Sequence, residues 1–277
     1  MRKVLFFLLV LSFYASGQQL RIMTYNIRYD NPGDGVNAWP KRINKVAGIV
    51  RKYNPDVLSV QEALHHQLTD LLRLLPDYAY YGVGRDDGLE KGEYSAILIK
   101  TARFGLMEQK TFWLSETPDV AGSKSWDAAI TRVATRVRLF DKVTKEEMLV
   151  MNTHFDHVGT EARKNSANLI KAYLTGYYES KKIPILLTGD FNFERSDDPY
   201  KIMTSDRSIL MDSKPPGDHD GTFCGFEVDT MECRTIDYIF HTKEWVVRKY
   251  KVMSDNDGKH YPSDHLPVLT EFELVAN

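Results

Sequence analysis

Nine short apolar runs, at 20–25, 57–60, 95–99, 131–140, 148–151, 183–187, 236–240, 245–253 and 267–274, are spread along the chain. Their length and their content of branched aliphatic residues are those of strands rather than helices. The run 131–140 also alternates, with Val133, Thr135, Val137 and Leu139 on one side and Arg132, Arg136 and Arg138 on the other. Successive side chains of a strand point to opposite faces, so one side of this strand is apolar. Only 40–53, 64–75 and 161–178 place apolar residues at helical spacing, and Pro40 suits a first helical turn. Many strands with a few one-faced helices must pack sheet on sheet and carry the helices outside, an α/β arrangement. No repeat, low-complexity tract or linker-like break divides 20–277, so one domain is expected there.

Residues 1–19 stand apart. Arg2 and Lys3 precede an apolar stretch from Val4 to Tyr14 and the small residues Ala15, Ser16 and Gly17. This is the order of a cleaved export signal, and the stretch is short for a bilayer span. A periplasmic or extracellular, monomeric protein without stable membrane insertion is therefore expected. Cys224 and Cys233 are nine residues apart. In an oxidising compartment a disulfide between them is expected, with two separate buried thiols as the alternative. The net charge of −2 is not the basic balance of a protein that holds long nucleic acid, although a local basic patch is compatible with it.

Unusual polar groups collect where the apolar runs stop. "LRIMTY" runs into Asn26, "VLSV" into Gln61 and Glu62, "MLVMNT" into His154 and Asp156, and "ILLTG" into Asp190 and Asn192. Asp237 lies inside the apolar "TIDYIF", and Asp264 and His265 directly precede the last run. One such residue is a turn or a cap; six such sites on strand ends can converge on one rim. Asp190 and Asn192, two apart, fit either an Asx turn or a pair reaching into one space.

The ordered set "TYNIR", "QE", "NTHFDH", "GDFN", "IDYIF" and "SDHLPV" resembles the endonuclease/exonuclease/phosphatase superfamily, across 23–268. The resemblance implies a four-layer sandwich, with two packed mixed β-sheets covered by helices on both outer faces. It implies a hydrolase that uses Mg²⁺, replaceable by Mn²⁺, and attacks phosphorus directly with water. On this resemblance Glu62 binds the metal, Asn26 supports that carboxylate, and Asp264 lies on the metal side. Asp190 and Asn192 position water and phosphate, Asp237 orients His265, and His154 belongs to the central motif. Glu93 is expected to pair with His154, Arg132 to contact phosphate, and Asp156 to support the site.

The substrate implied is a phosphate ester: a nucleic acid fragment, a nucleotide or a small phosphorylated molecule. A phosphodiesterase or nuclease is the leading expectation. A phosphomonoesterase or diesterase acting on a small molecule, nucleotide or lipid head group is the alternative, and a non-catalytic binding module stands last. Phe193-Glu194-Arg195 after the "GDFN" motif departs from the inositol polyphosphate phosphatase pattern. Among the other histidines, His65, His66, His241 and His260 read as surface residues, while His219 is open. Phe223 and Phe226 either line a substrate mouth or pack a loop.

Overall fold

All nine apolar runs are strands in the computed structural model, which describes residues 19–275. The expected export signal therefore lies outside the described residues, apart from Gln19. The strands are β1 (Leu20–Asn26), β2 (Val57–Ala63), β3 (Tyr78–Tyr81), β4 (Tyr94–Lys100), β5 (Phe104–Trp113) and β6 (Val133–Asp141). They continue as β7 (Glu147–His154), β8 (Ile185–Asp190), β9 (Met211–Asp212), β10 (Asp237–His241), β11 (Trp245–Val252) and β12 (Val268–Leu274). The helices are α1 (Trp39–Tyr53), α2 (His65–Leu74), α3 (Thr160–Lys181) and the short α4 (Asp198–Thr204). Pro32–Asn37 adds two short 3₁₀ pieces that meet at a kink at Gly35.

Two six-stranded sheets result, ordered β11-β12-β1-β2-β4-β3 and β5-β6-β7-β8-β10-β9. Each contains one parallel pair, β1 with β2 and β7 with β8, among antiparallel neighbours. Parallel neighbours need a long crossover, and α1 and α3 supply it. Three apolar clusters separate the layers. Leu58, Val60 and Leu98 meet Val46, Val50, Leu68 and Leu71 of α1 and α2 on one side of the molecule. Ile22, Ile97, Val137, Val150, Leu186 and Ile239 fill the space between the sheets. Leu149, Met151, Leu187 and Phe240 meet Ile170 and Leu174 of α3 on the far side. The expected helix–sheet–sheet–helix sandwich is thus present.

The space between the sheets is not wholly apolar. Gln61 Nε2 donates to Asn152 Oδ1 at 2.6 Å, and Asn152 Nδ2 donates to the carbonyls of Val60 and Ala96 at 2.9 and 2.8 Å. Thr188 Oγ1 donates to Ser59 Oγ at 2.7 Å. A buried polar bond tolerates little sliding, so these links fix one sheet against the other near the strand ends. The arginine side of β6 departs from a solvated face. Arg136 is buried beneath Tyr173 and Tyr177 of α3, within 5.7 and 5.2 Å of their ring centres.

Candidate active site

The C-terminal ends of both parallel pairs open on the same rim: Asn26 ends β1, Glu62 lies near the end of β2, His154 ends β7 and Asp190 ends β8. Open α/β sheets bind ligands outside the carboxyl ends of their parallel strands, and here two sheets pool such ends. Register completes the set. Asp190 pairs with His154 on β7 and with Asp237 on β10, so three polar residues lie across one rung. Gly189 permits this close approach, since a Cβ there would stand 2.4 Å from the carbonyl oxygen of Thr153.

Glu62 reaches the site through an irregularity. The pairing of β2 with β4 shifts register between Val60 and Ala63, and Glu62 takes a left-handed φ of 63°. A bulge of this kind re-aims a side chain out of the ladder. Arg28 and Asn192, with φ of 57° and 49°, are left-handed too. Such conformations cost about 1–3 kcal/mol each and persist where the surroundings over-determine them. Part of that surrounding is Arg42 of α1, buried and donating to the carbonyls of Ile27, Arg28 and Asn37. It clamps the loop that leaves β1.

Asn26 is the hub. Its amide Nδ2 donates to Glu62 Oε1 at 3.0 Å and to Asp190 Oδ2 at 2.9 Å, while its Oδ1 accepts from the Arg28 amide at 3.0 Å. It therefore supports the carboxylates rather than offering an oxygen of its own. Glu62 Oε2 also accepts from the Tyr29 amide at 3.1 Å. Asp190 Oδ1 accepts from the Asn192 amide at 3.0 Å, so an Asx turn and a shared site coexist at 190–192. Asn192 Nδ2 lies 3.1 Å from His154 Nε2, which is itself 3.3 Å from Asp190 Oδ2.

Across from these, His265 Nδ1 lies 2.9 Å from Asp237 Oδ2, and its Nε2 lies 3.7 Å from Asp190 Oδ2. Burial alone would lower the pKa of His265, but Asp237 and then Asp190 overcome it and raise it to about 10. Burial, reinforced by the charge of Asp237, pushes Asp190 up to about 7. Burial and then the charges of Arg132 and Arg85 hold His154 well below the usual histidine range, hence neutral.

Glu62, Asp190 and His265 present ligand-type atoms within 4.8 Å of one another. Their oxygens, with water, suit a hard divalent cation, and His265 as an imidazolium is a neighbour of that cation rather than a ligand. Asp264 is not part of this close group. Its Oδ2 lies 3.9 Å from Arg28 Nε, and Arg28 Nη1 in turn lies 4.0 Å from Glu62 Oε2. A cavity of about 530 Å³ is lined by these residues together with Arg132, His157, Phe223 and Arg234.

Two expectations change. Glu93 binds Arg85 at 2.6 Å and makes no hydrogen bond to His154 among the described residues. The cation next to the glutamate comes from the 82–93 loop, and a loop residue has no periodicity to betray it. His241 is buried, not on the surface, with Nδ1 3.0 Å from the carbonyl of Thr242. Arg132 sits at the entry to β6, buried, with Nη2 3.0 Å from His157 Nδ1 and Nε 3.7 Å from Asp156 Oδ2, while Nε and Nη1 have no hydrogen-bond partner among the described residues. Asp156 accepts from the amides of Ala129, Ile130, Val158 and Gly159, tying together the loops that carry Arg132 and His157. Phe223 faces the cavity and packs on His265 with ring centres 4.9 Å apart, whereas Phe226 lies against Arg42. Arg28, Arg85, His157 and Arg234 were not singled out in the sequence. The places of Arg28 within "TYNIR" and of His157 within "NTHFDH" were the available signals.

The chain matches the Endonuclease/Exonuclease/phosphatase family over residues 23–265 and belongs to it. It is accordingly a hydrolase of phosphate esters from a family that depends on divalent metal. A solved family member from Bacteroides thetaiotaomicron is 36% identical, covers 94% of this chain and 99% of its own, and has a TM-score of 0.88. A mannosyl-6-phosphatase from the same organism is 36% identical over 91% of this chain and 99% of its own, with a TM-score of 0.86. Nocturnin of Rattus norvegicus is 23% identical over 94% of this chain and 67% of its own length.

Proposed function

We propose that this protein is an exported, Mg²⁺-dependent phosphomonoesterase that releases phosphate from a phosphorylated sugar. The observation that carries this reading is the cationic wall opposite the carboxylates. Arg132 is buried with two guanidinium nitrogens that lack a hydrogen-bond partner among the described residues, Nε standing 3.7 Å from Asp156 Oδ2. Arg234 stands in the same cavity, and His157, beside them, is held below the usual histidine range by burial and then by Arg132. A buried donor without a partner is costly, and a terminal phosphate offers oxygens to satisfy it. Similarity to the mannosyl-6-phosphatase supports the same choice, at higher identity than to nocturnin.

The chemistry follows from the charges. Asp190, held through both oxygens by Asn26 and Asn192, has a pKa of about 7, suited to taking a proton from an attacking water near neutrality. His265, kept cationic by Asp237, donates from Nε2 to phosphate oxygens as charge builds in the transition state. Arg132 holds another oxygen of the same group. Neutral His154, against Asn192, fixes the amide beside the reacting phosphorus. Glu62 is the residue that would hold the cation, which when bound neutralises phosphate charge and assists the departing oxygen.

Export is supported by the order of residues 1–19 and by the disulfide joining Cys224 and Cys233. No helix among the described residues is long and apolar enough to cross a membrane.

Purified protein with Mg²⁺ should release inorganic phosphate from hexose 6-phosphates faster than it cleaves an aryl phosphodiester or a single-stranded oligonucleotide. The reverse order would return the assignment to the nuclease reading.

A further inference from the structure

A second cavity, of about 510 Å³, lies beside the first and shares Arg234 with it as a common wall. We infer that this second cavity is a distal subsite that binds the hydroxyl-rich remainder of a substrate larger than one phosphorylated sugar. The inference rests on the phosphomonoesterase reading for what occupies the first cavity, and on the following observations for the second.

The chamber is polar, and its cations are largely matched within the protein. Arg195 pairs with Asp212 at 2.7 Å, and Lys214 pairs with Asp218 at 2.9 Å. Among the described residues Arg234 has only a loose ion-pair partner in Glu194, at 3.9 Å. Glu232, also on the lining, makes no ion pair among the described residues. A second phosphate would find the cations occupied and free carboxylate nearby. A neutral polyhydroxyl chain finds acceptors on Glu232 and Glu194, donors on Arg234, and an acceptor in the hydroxyl of Thr235, which itself donates to the Asp220 carbonyl at 3.2 Å, all suited to hydrogen bonding without a net charge to neutralise.

The common wall is also held in place. Arg234 pairs antiparallel with Phe223, its guanidinium lies 5.5 Å from that ring, and the Phe223 ring packs on His265. The disulfide between Cys224 and Cys233, each adjacent to one member of this pair, closes the hairpin. A chain of contacts thus runs from His265 through Phe223 to Arg234 and the second chamber. Arg234 can serve both cavities, and the Phe223 ring offers an apolar edge at the seam on which a sugar face can rest. Binding energy from a part of the substrate remote from the reaction raises turnover as well as affinity when it holds the reacting group in place.

Two measurements separate this subsite from the reading it rests on. The first compares kcat/KM for a hexose 6-phosphate with that for a disaccharide phosphorylated on its terminal sugar. The disaccharide should be preferred by about 10-fold or more, and the ratio should fall toward one in Glu232→Gln and Thr235→Val. The second measures binding of the unphosphorylated disaccharide by saturation-transfer NMR, which needs no turnover. It should bind the native protein and be lost in Glu232→Gln. Equal kcat/KM for the two phosphates, or no disaccharide binding to the native protein, overturns the subsite and leaves the phosphomonoesterase reading standing. Disaccharide binding without hydrolysis of either phosphate sustains the subsite and overturns that reading instead.

Discussion

His265 Nδ1 lies 2.9 Å from Asp237 Oδ2, with both side chains buried and the two residues brought together from β10 and from the loop before β12. A lone aspartate inside the apolar "TIDYIF" strand would be expensive, and the imidazolium offsets that cost. The remaining oxygen, Asp237 Oδ1, has no hydrogen-bond partner among the described residues, so the carboxylate is committed to this one contact.

The two should therefore act as a unit. Asp237→Asn and His265→Ala are each expected to lower kcat by about 10²-fold or more, as loss of a transition-state donor does. The double variant should be little worse than the worse single one, because groups that act together lose function together. Steady-state kinetics on the four proteins, with circular dichroism to check folding, makes the comparison. Multiplicative losses would mean that Asp237 works independently of His265.

Stability should carry the same signature. The histidine titrates near 6.5 when unfolded and at about 10 in the fold. A pKa raised by folding stabilises fully below the unfolded value, and that stabilisation is lost as pH rises through the folded one. In excess chelator, the native melting temperature should fall across pH 6.5 to 10 more steeply than that of Asp237→Asn. Parallel thermal melts of the two proteins would show that Asp237 does not set the charge of His265.

The strand-end residues were legible because two regularities coincide in them. Apolar runs mark where strands stop, and a carboxylate, amide or imidazole at that point has no packing reason to be there. That signal placed Asn26, His154 and Asp190 on a common rim, and the family resemblance supplied their roles. The edge strands β3, β5 and β9 were not legible in this way, since Gln109 and Lys110 of β5 answer to solvent on an edge rather than to a core. Glu62 was legible by type, but its aim depends on a bulge that no periodicity encodes. Arg85 and His157 lie on loops, where proximity is set by the tertiary fold. Their contacts with Glu93 and Arg132 became readable only in three dimensions.

Arg132 provides a test of the phosphate wall. Its Nε and Nη1 are buried without a hydrogen-bond partner among the described residues, Nε facing Asp156 at 3.7 Å, so its loss removes charged donors that a phosphate can engage. Arg132→Gln should reduce kcat/KM by about 10- to 100-fold, the range for a hydrogen bond to a charged group. Arg132→Lys should recover only part of this, because a point charge cannot reproduce the guanidinium fork. Unchanged kinetics in Arg132→Gln would remove this residue from the site.

The disulfide should matter for stability and for the pocket mouth together. Opening a loop of nine residues with Cys224→Ser/Cys233→Ser should cost about 2–3 kcal/mol by the entropy of the unfolded chain. Chemical denaturation measures it. The same variant should raise KM, since Phe223 and Arg234 flank the bridge. A variant with native stability and native KM would show that the bridge has neither effect.

The most direct measurement is phosphate release from a hexose 6-phosphate by native protein and by Glu62→Gln, each with Mg²⁺ and with excess chelator. Native protein should turn over with Mg²⁺ and stop in chelator, and Glu62→Gln should lose most activity at saturating Mg²⁺ while keeping its fold. Full turnover in chelator, or an active Glu62→Gln, would contradict a metal-dependent site built on these strand ends.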